Sequence, residues 1–398
     1  MATVVTPASA SQGFVPPNAS QNTTAQLDLN DPLTRKQWIK QKLIVAMQRT
    51  NLFNAYIGNS ASSVIYRSTR TAQNAKQAIT FDYDGFLVNP PIMGKSRAEG
   101  KGEVQKYFSD ELTMHFYRFV RDNGWAVEGS AYDKVNNTKH SYAMGQLANL
   151  NARWVHQSMA DALQGTMTHC APSHIIRPNG KTTMAALTST DTPTLKFVRK
   201  LEEAASEGWG FTNGGNRLPL VPSNSSGRYT VFVDSTFFRL LRESTDFRDL
   251  AQYDVRGERN MAIRGYLGTF GNLDFVAVPT FHGTTLNRHL GGTGVMLPGW
   301  RLFNKDGKMS GEQGFSVSND LVGRGVIVGQ SALRMASGPT PEYRYETYDA
   351  GEFSESFLRG FFNVAPAVYR EHNTDYSTKI TGYNFGLIHF EYFIGKRG

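Results

Sequence analysis

The sequence predicts an α+β fold, and three observations carry that expectation. A stretch of apolar residues at helical spacing runs from Ser141 to Gly165, enough for a rod of roughly 37 Å at about 1.5 Å per residue. The second half of the chain is instead cut into short runs rich in Val, Ile, Phe and Tyr and punctuated by Gly, as strands are. The composition supports a sizeable core, because 40% of the 398 residues are hydrophobic and 12% aromatic. Only 19% are charged, against roughly 25% in ordinary soluble domains. Low charge with many aromatics suits a surface that is largely buried against partners.

The same arithmetic excludes several classes. The net charge of +8, from 42 basic and 34 acidic residues, is mild. It forms no Lys/Arg block, so sequence-specific DNA reading is not expected. The lone Cys170 excludes an intrachain disulfide framework and a Cys-rich zinc module. No run of 18 apolar residues exists, so no membrane span is expected. The opening MATVVTPASASQG lacks the basic start and apolar core of a signal peptide, and an intracellular, soluble origin is expected.

Taken in order, residues 1–30 read as a disordered arm: nothing before Asp28 is charged, and Ala, Ser, Thr, Gln, Asn and Pro dominate. A helix is expected from Asp31-Pro32, with Trp38, Ile39, Leu43, Ala46 and Met47 at helical spacing and Gly58 closing it. Ser63–Tyr66 reads as a short strand. Ala78–Val88 alternates Ile79, Phe81 and Tyr83 on one face, and a charge-dense segment, MGKSRAEGKGEVQ, follows Asn89-Pro90-Pro91. This predicts a long two-stranded protrusion over 62–112. A lone hairpin is marginal in water, so it needs another surface to lie on. Its tip carries Lys95, Arg97, Glu99, Lys101 and Glu103 between glycines 94, 100 and 102, the pattern of an adaptable contact with a neighbouring subunit.

The stripe of the long helix is Met144, Leu147, Leu150, Trp154, Val155, Met159 and Leu163. A second helix, Thr194–Glu207, is expected to be opened by Asp191-Thr192-Pro193 and closed by Gly208. Beyond it, Arg228–Asp234 reads as a buried strand followed by a short helix, Thr236–Glu243, and a further helix is expected around 247–258. Strands are expected at Leu273–Val278, Gly325–Gln330, Tyr343–Tyr348 and Leu387–Ile394. Residues 282–325 read as a Gly-rich loop region.

Motifs with chemistry are weak. Gly94-Lys95-Ser96 and Gly180-Lys181-Thr182 each supply half of a phosphate loop, but Asn89 and Ile175 stand where its first Gly is needed. Both read as plain turns. His169, Cys170 and His174 lack further ligands at a convincing spacing for a metal. Asp82-Tyr83-Asp84-Gly85 opens like a calcium loop without its closing Glu. Gly323, Gly325 and Gly329 do not make a dinucleotide fingerprint, because the strand follows them. Phe237, Phe238, Phe361 and Phe362 read as core. No catalytic, cofactor-binding or metal site is expected.

The order of arm, helix, charged-tip hairpin, long helix and mixed α/β half resembles the major capsid proteins of tailed bacteriophages, whose fold herpesviruses share. It is most similar to those of short-tailed phages of the large virion-polymerase group. The strings that carry the likeness are GEVQKYFSDELTMHFYRFVRDNGWAVEGSAYD, SYAMGQLANLNARWVHQSMADALQG, RYTVFVDSTFFRLLRES and GYLGTFGNLDFVAVP, together with the last strand. Where that pattern has His-Pro after the strand at 229–233, this chain has Asp234-Ser235. The resemblance implies a disordered N-terminal arm over 1–30, an N-terminal helix over 31–61 and an E-loop hairpin over 62–112. It implies a P-domain over 113–227 with its spine helix at 141–165. A mainly A-domain part with Gly-rich loops would follow over 228–340, and return strands to both domains over 341–398.

By that resemblance the chain is a non-enzymatic building block without cofactors. It would form hexamers and pentamers that close into an icosahedral head around double-stranded DNA. Implied partners are copies of itself, the portal, decoration proteins and the packaged DNA by non-specific contact, with no membrane. The implied location is the virion, after assembly in the host cytoplasm. An encapsulin-type container shares the architecture but lacks the long charged tip. A nucleotide-dependent enzyme is the alternative from another class, and the incomplete phosphate loops speak against it.

Overall fold

The computed structural model describes residues 52–68, 78–83, 108–125, 132–165, 175–208, 220–223, 226–244, 266–281, 299–310, 315, 319–338, 341–348, 353–372, 378–384 and 386–396. The expected arm, most of the first helix, the hairpin tip, His169, Cys170, His174 and the helix around 247–258 lie outside them. The described chain divides into two units. One holds 116–152 and 338–361; the other holds 52–115, 153–337 and 362–398.

Three α-helices are described: α1 (Tyr132–Gln164), α2 (Leu195–Glu207) and α3 (Ser235–Glu243). Helix α1 begins at Tyr132, well before the expected Ser141. Its residues up to Ala152 belong to the smaller unit and those from Arg153 to the larger.

In the smaller unit, strand Glu342–Tyr348 pairs antiparallel with the first part of strand Phe353–Pro366, placing Tyr343 opposite Leu358 and Tyr345 opposite Ser356. Strand His115–Trp125 pairs with the same long strand. The core is Met144, Leu147 and Ala148 of α1 against Leu358, flanked by Phe119 and Tyr343. Gly360 is required here, because a Cβ on it would stand 2.7 Å from the Tyr117 hydroxyl and 2.9 Å from its ring.

The larger unit is built on a mixed sheet. Its order is Ile175–Ile176, Leu387–Gly395, Leu321–Val328, Tyr229–Asp234, Leu273–Val278 and Tyr266–Phe270, with Phe303–Asn304 added beside Leu321–Val328. Helices α2 and α3 cover one face through Phe197, Val198, Leu201, Phe237 and Leu241, against Val231, Val233, Phe275, Ile327, Phe390 and Tyr392. Phe237 is fully buried and stacks on Phe275 at 5.7 Å. Phe362 is buried against Trp154, as the core reading expected, whereas Phe238 and Phe361 are only partly buried.

Several expectations are corrected. Leu52–Tyr56 is a 3-10 turn and Ile57–Gly58 a strand, so the first helix does not run to Gly58. Phe53, fully buried against Phe232 at 5.4 Å, pins the turn, and Ile57 pairs with Ile65. The Ser63–Tyr66 strand runs Ile65–Arg67 and joins Leu333–Met335 rather than the hairpin.

The hairpin arms Ala78–Tyr83 and Phe108–Thr113 do pair antiparallel, but they are not a two-stranded piece. Val368–His372 and Thr378–Asn384 extend them to four strands. Within 282–325, Trp300–Arg301 and Phe303–Asn304 are strands, and the next strand starts at Leu321 rather than Gly325.

Helix α2 is capped by Thr194, whose hydroxyl accepts from Phe197 N. Asp191 instead closes the preceding loop, accepting from Thr188 N and Asn179 Nδ2 at 2.8 Å each. Asp234, standing in the His-Pro position, caps α3 by accepting from Thr236 N at 3.0 Å.

Candidate assembly surfaces

No group of three His, Cys, Asp or Glu side chains able to hold a metal occurs among the described residues. No described helix is long and apolar enough to cross a membrane. Pro178–Gly180 is a single 3-10 turn with Asn179 at φ 51° and Gly180 at φ 69°. Lys181 N closes it on the Pro178 carbonyl, so Gly180-Lys181-Thr182 is a tight turn and the next helix begins only at Leu195. Asp82 lies in the Ala78–Tyr83 strand opposite Ser109. The tip residues Lys95, Arg97, Glu99, Lys101 and Glu103 lie outside the described residues, and the structure brings only the hairpin's base into view.

One network of the larger unit joins the buried Arg177, Arg324 and Glu391. Glu391, fully buried, accepts from Arg177 Nε at 2.7 Å and from Arg324 Nε and Nη2 at 3.0 and 2.7 Å. Arg177 Nη1 also donates to the Thr182 carbonyl, and Arg324 Nη1 to the Gln164 carbonyl. Arg324 further lies 4.3 Å over the Phe303 ring.

Gln157, Asp161 and Gln164 of α1, at spacings of four and three, hold the segment 299–301. Gln157 Oε1 accepts from Gly299 N, Gln164 Oε1 accepts from Arg301 N, and Asp161 pairs with Arg301. Each charge here has an oppositely charged partner, with Glu391 shared by two arginines, which avoids the large penalty of an unpaired buried ion. The network does structural work and leaves no free nucleophile or base. The apolar stripe read along α1 missed it; polar residues spaced like a helix face, inside that stripe, were the signal.

Among the described residues, two surfaces are open. On the smaller unit, Phe116 and Val120 are each about half exposed. Phe116 lies 5.5 Å from Phe361, and Arg118 caps the Phe357 ring at 4.2 Å. Nearby in the same sheet Glu342 bridges Arg344 and Arg359 at 2.8 Å each. Partial burial works to raise the Glu342 carboxyl, but hydrogen bonds and charge from the two arginines outweigh it and hold it below its usual range.

On the larger unit, a groove of about 620 Å³ runs beside α2. It is lined by Asn179, Thr192, Lys196, Arg199, Lys200 and Glu203 among others.

No protein-family model matches the chain, and no curated protein matches its sequence. Solved structures do. The fold is similar to the capsid of Ralstonia phage GP4, with a TM-score of 0.60, 18% identity, and 87% of this chain and 92% of that one covered. It is similar to the acid-stable capsid of Helicobacter pylori bacteriophage KHP30, at 0.59 and 14%, covering 86% and 91%. It is also similar to the cyanophage Pam1 capsid, at 0.56 and 12%, covering 88% and 93%. The chain therefore has the fold of the phage capsid structures.

Proposed function

We propose that this chain is the major capsid protein of a tailed bacteriophage, of the short-tailed group with a large virion polymerase. It builds hexamers and pentamers that close into an icosahedral head around double-stranded DNA. The observation that carries this reading is the extent of the fold likeness. Three phage capsids match over 86% to 88% of this chain and over 91% to 93% of their own. The Glu391 carboxylate is held by Arg177 and Arg324, an arrangement that suits a structural role.

In this reading the hairpin with arms Ala78–Tyr83 and Phe108–Thr113 is the E-loop and α1 is the spine helix. The tip residues Lys95, Arg97, Glu99, Lys101 and Glu103 are an intersubunit contact. The chain sits in the virion after assembly in the host cytoplasm. It meets the portal, decoration proteins and, non-specifically, the packaged DNA.

Sedimentation velocity of the purified chain tests it. The wild type should sediment as particles far larger than a 44.2 kDa monomer. Reversing Lys95, Arg97 and Lys101 together to Glu should leave small, folded species. A wild type that stays monomeric would contradict the capsid reading. A triple variant that assembles normally would contradict the role of the tip.

A further inference from the structure

The turn Leu52–Tyr56 and the strand Ile57–Gly58 are held to the larger unit by a small set of contacts. Phe53 is the one buried residue of segment 52–58. Its ring packs on Phe232 at 5.4 Å and on His156 of α1 at 4.8 Å, the last pair tilted by 31°. Tyr56 adds an edge contact with Phe232 at 5.1 Å. The ladder beyond is two residue pairs long, Ile57 with Ile65 and Gly58 with Tyr66.

His156 is the polar member of this aromatic cluster. It is 5% exposed, and its Nδ1 meets no hydrogen-bond partner among the described residues. A Phe or Leu would fill an apolar site without stranding a polar atom. A local rule broken in the core without a compensating bond marks a residue kept for something other than stability.

No counter-charge stands ready for the ring. The turn carries only Tyr56, whose pKa is raised by burial first and by Asp274 second. The strand Tyr229–Asp234 carries Tyr229, raised by burial, and Asp234, whose carboxylate accepts from Thr236 N. On α1, Arg153 is exposed, and Asp161 is bonded by Gln157 and Arg301. Residues 360–366, whose Phe362 packs on Trp154, include no ionisable side chain. Burial alone lowers the His156 pKa, to about 4.

We propose that His156 is an acid-operated latch on segment 52–58: a second proton on the ring makes a buried cation without an acceptor, and the segment lifts to let it reach water. The attraction of the cation to the Phe53 face offsets only part of that cost. Helix α1 and the strand Tyr229–Asp234 are packed along their length, so the segment with one buried side chain and a two-pair ladder is the part that gives way.

The proton balance sets the sign. With the segment lifted the ring titrates at its ordinary 6.5, and with the segment closed at about 4. The latch is therefore shut above pH 6.5. The closed-to-open ratio falls by up to about 300-fold as the pH drops from 6.5 to 4.

Hydrogen exchange of the full-length chain, read by mass spectrometry at about pH 7 and about pH 4.5 and corrected for intrinsic rates, tests this. In the wild type, peptides covering 52–58 should lose protection about 50-fold or more at the lower pH, while those covering 229–234 and 321–328 keep theirs. His156→Phe should hold 52–58 closed at both. Equal wild-type protection of 52–58 at the two pH values overturns the proposal. So does a His156→Phe chain that opens like the wild type. So does a wild type in which 229–234 opens in step with 52–58, because that is global acid unfolding. If His156→Phe does not fold, His156→Leu takes its place. The onset of opening in the wild type is a readout that needs no variant: protection of 52–58 that begins to fall only below about pH 4 overturns the latch.

Discussion

Arg324 and Glu391 stand directly opposite each other on adjacent antiparallel strands, 2.7 Å apart, with the Glu391 side chain fully buried. On the other face of the same ladder Gly323 faces Tyr392 and Gly325 faces Phe390. The two faces are linked by the pleat. The register that pairs the charges also requires the glycines, because a Cβ at 323 or 325 would lie 2.4 or 2.2 Å from the opposing ring. Phase is therefore fixed twice, once by charge and once by shape.

Removing Glu391 leaves Arg177 and Arg324 buried without their acceptor. Glu391→Ala is expected to cost about 3–5 kcal/mol, as breaking a buried pair does. Urea denaturation of the soluble chain measures it. Arg177→Ala should cost less, because Arg324 still partners the carboxylate.

Gly325→Ala should destabilise by about 1–3 kcal/mol through overpacking against Phe390. Shrinking the ring should relieve it. The double variant Gly325→Ala with Phe390→Leu is expected to lose less than the two single losses added together, and a double-mutant cycle reads the difference.

His156 is buried, and its ring lies 4.8 Å from Phe53. Burial lowers its pKa from 6.5 to about 4, so it is neutral at pH 7. Between those values the unfolded chain binds the proton and the folded chain does not. Stability therefore rises with pH through that window and falls on acidification. The difference amounts to about 3 kcal/mol at most. His156→Phe should flatten the pH dependence of the melting temperature between about pH 4 and 6.5. An unchanged slope would place the acid sensitivity elsewhere.

Residues 1–30 carry only Asp28 as a charge and few large apolar groups. Deleting them should leave the melting temperature of the unassembled chain nearly unchanged while impairing particle closure. A collapse of monomer stability would instead assign the arm to the core.

Much of this fold was legible in the sequence, because periodicity reports burial. Leu273–Val278 emerged with the expected bounds, and the strands around Tyr229, Tyr343 and Leu387 within a residue of theirs. What stayed hidden has physical causes. Phe353–Pro366 alternates in burial from Leu358 to Pro366, but an inward position carries Gly360 and an outward one Phe361, so the residue types do not display it. Gly323 read as a loop residue and Gly325 only as the start of a strand, because their reason lies in rings nearly seventy residues away. The Glu391 network was invisible for the same cause: Arg177, Arg324 and Glu391 meet only through the sheet.

Electron microscopy of the purified full-length chain tests the central claim most directly. The account predicts closed shells with icosahedral symmetry, built from clusters of five and six subunits. A field of compact particles the size of a single 44.2 kDa chain, under conditions where the chain is folded, would contradict it.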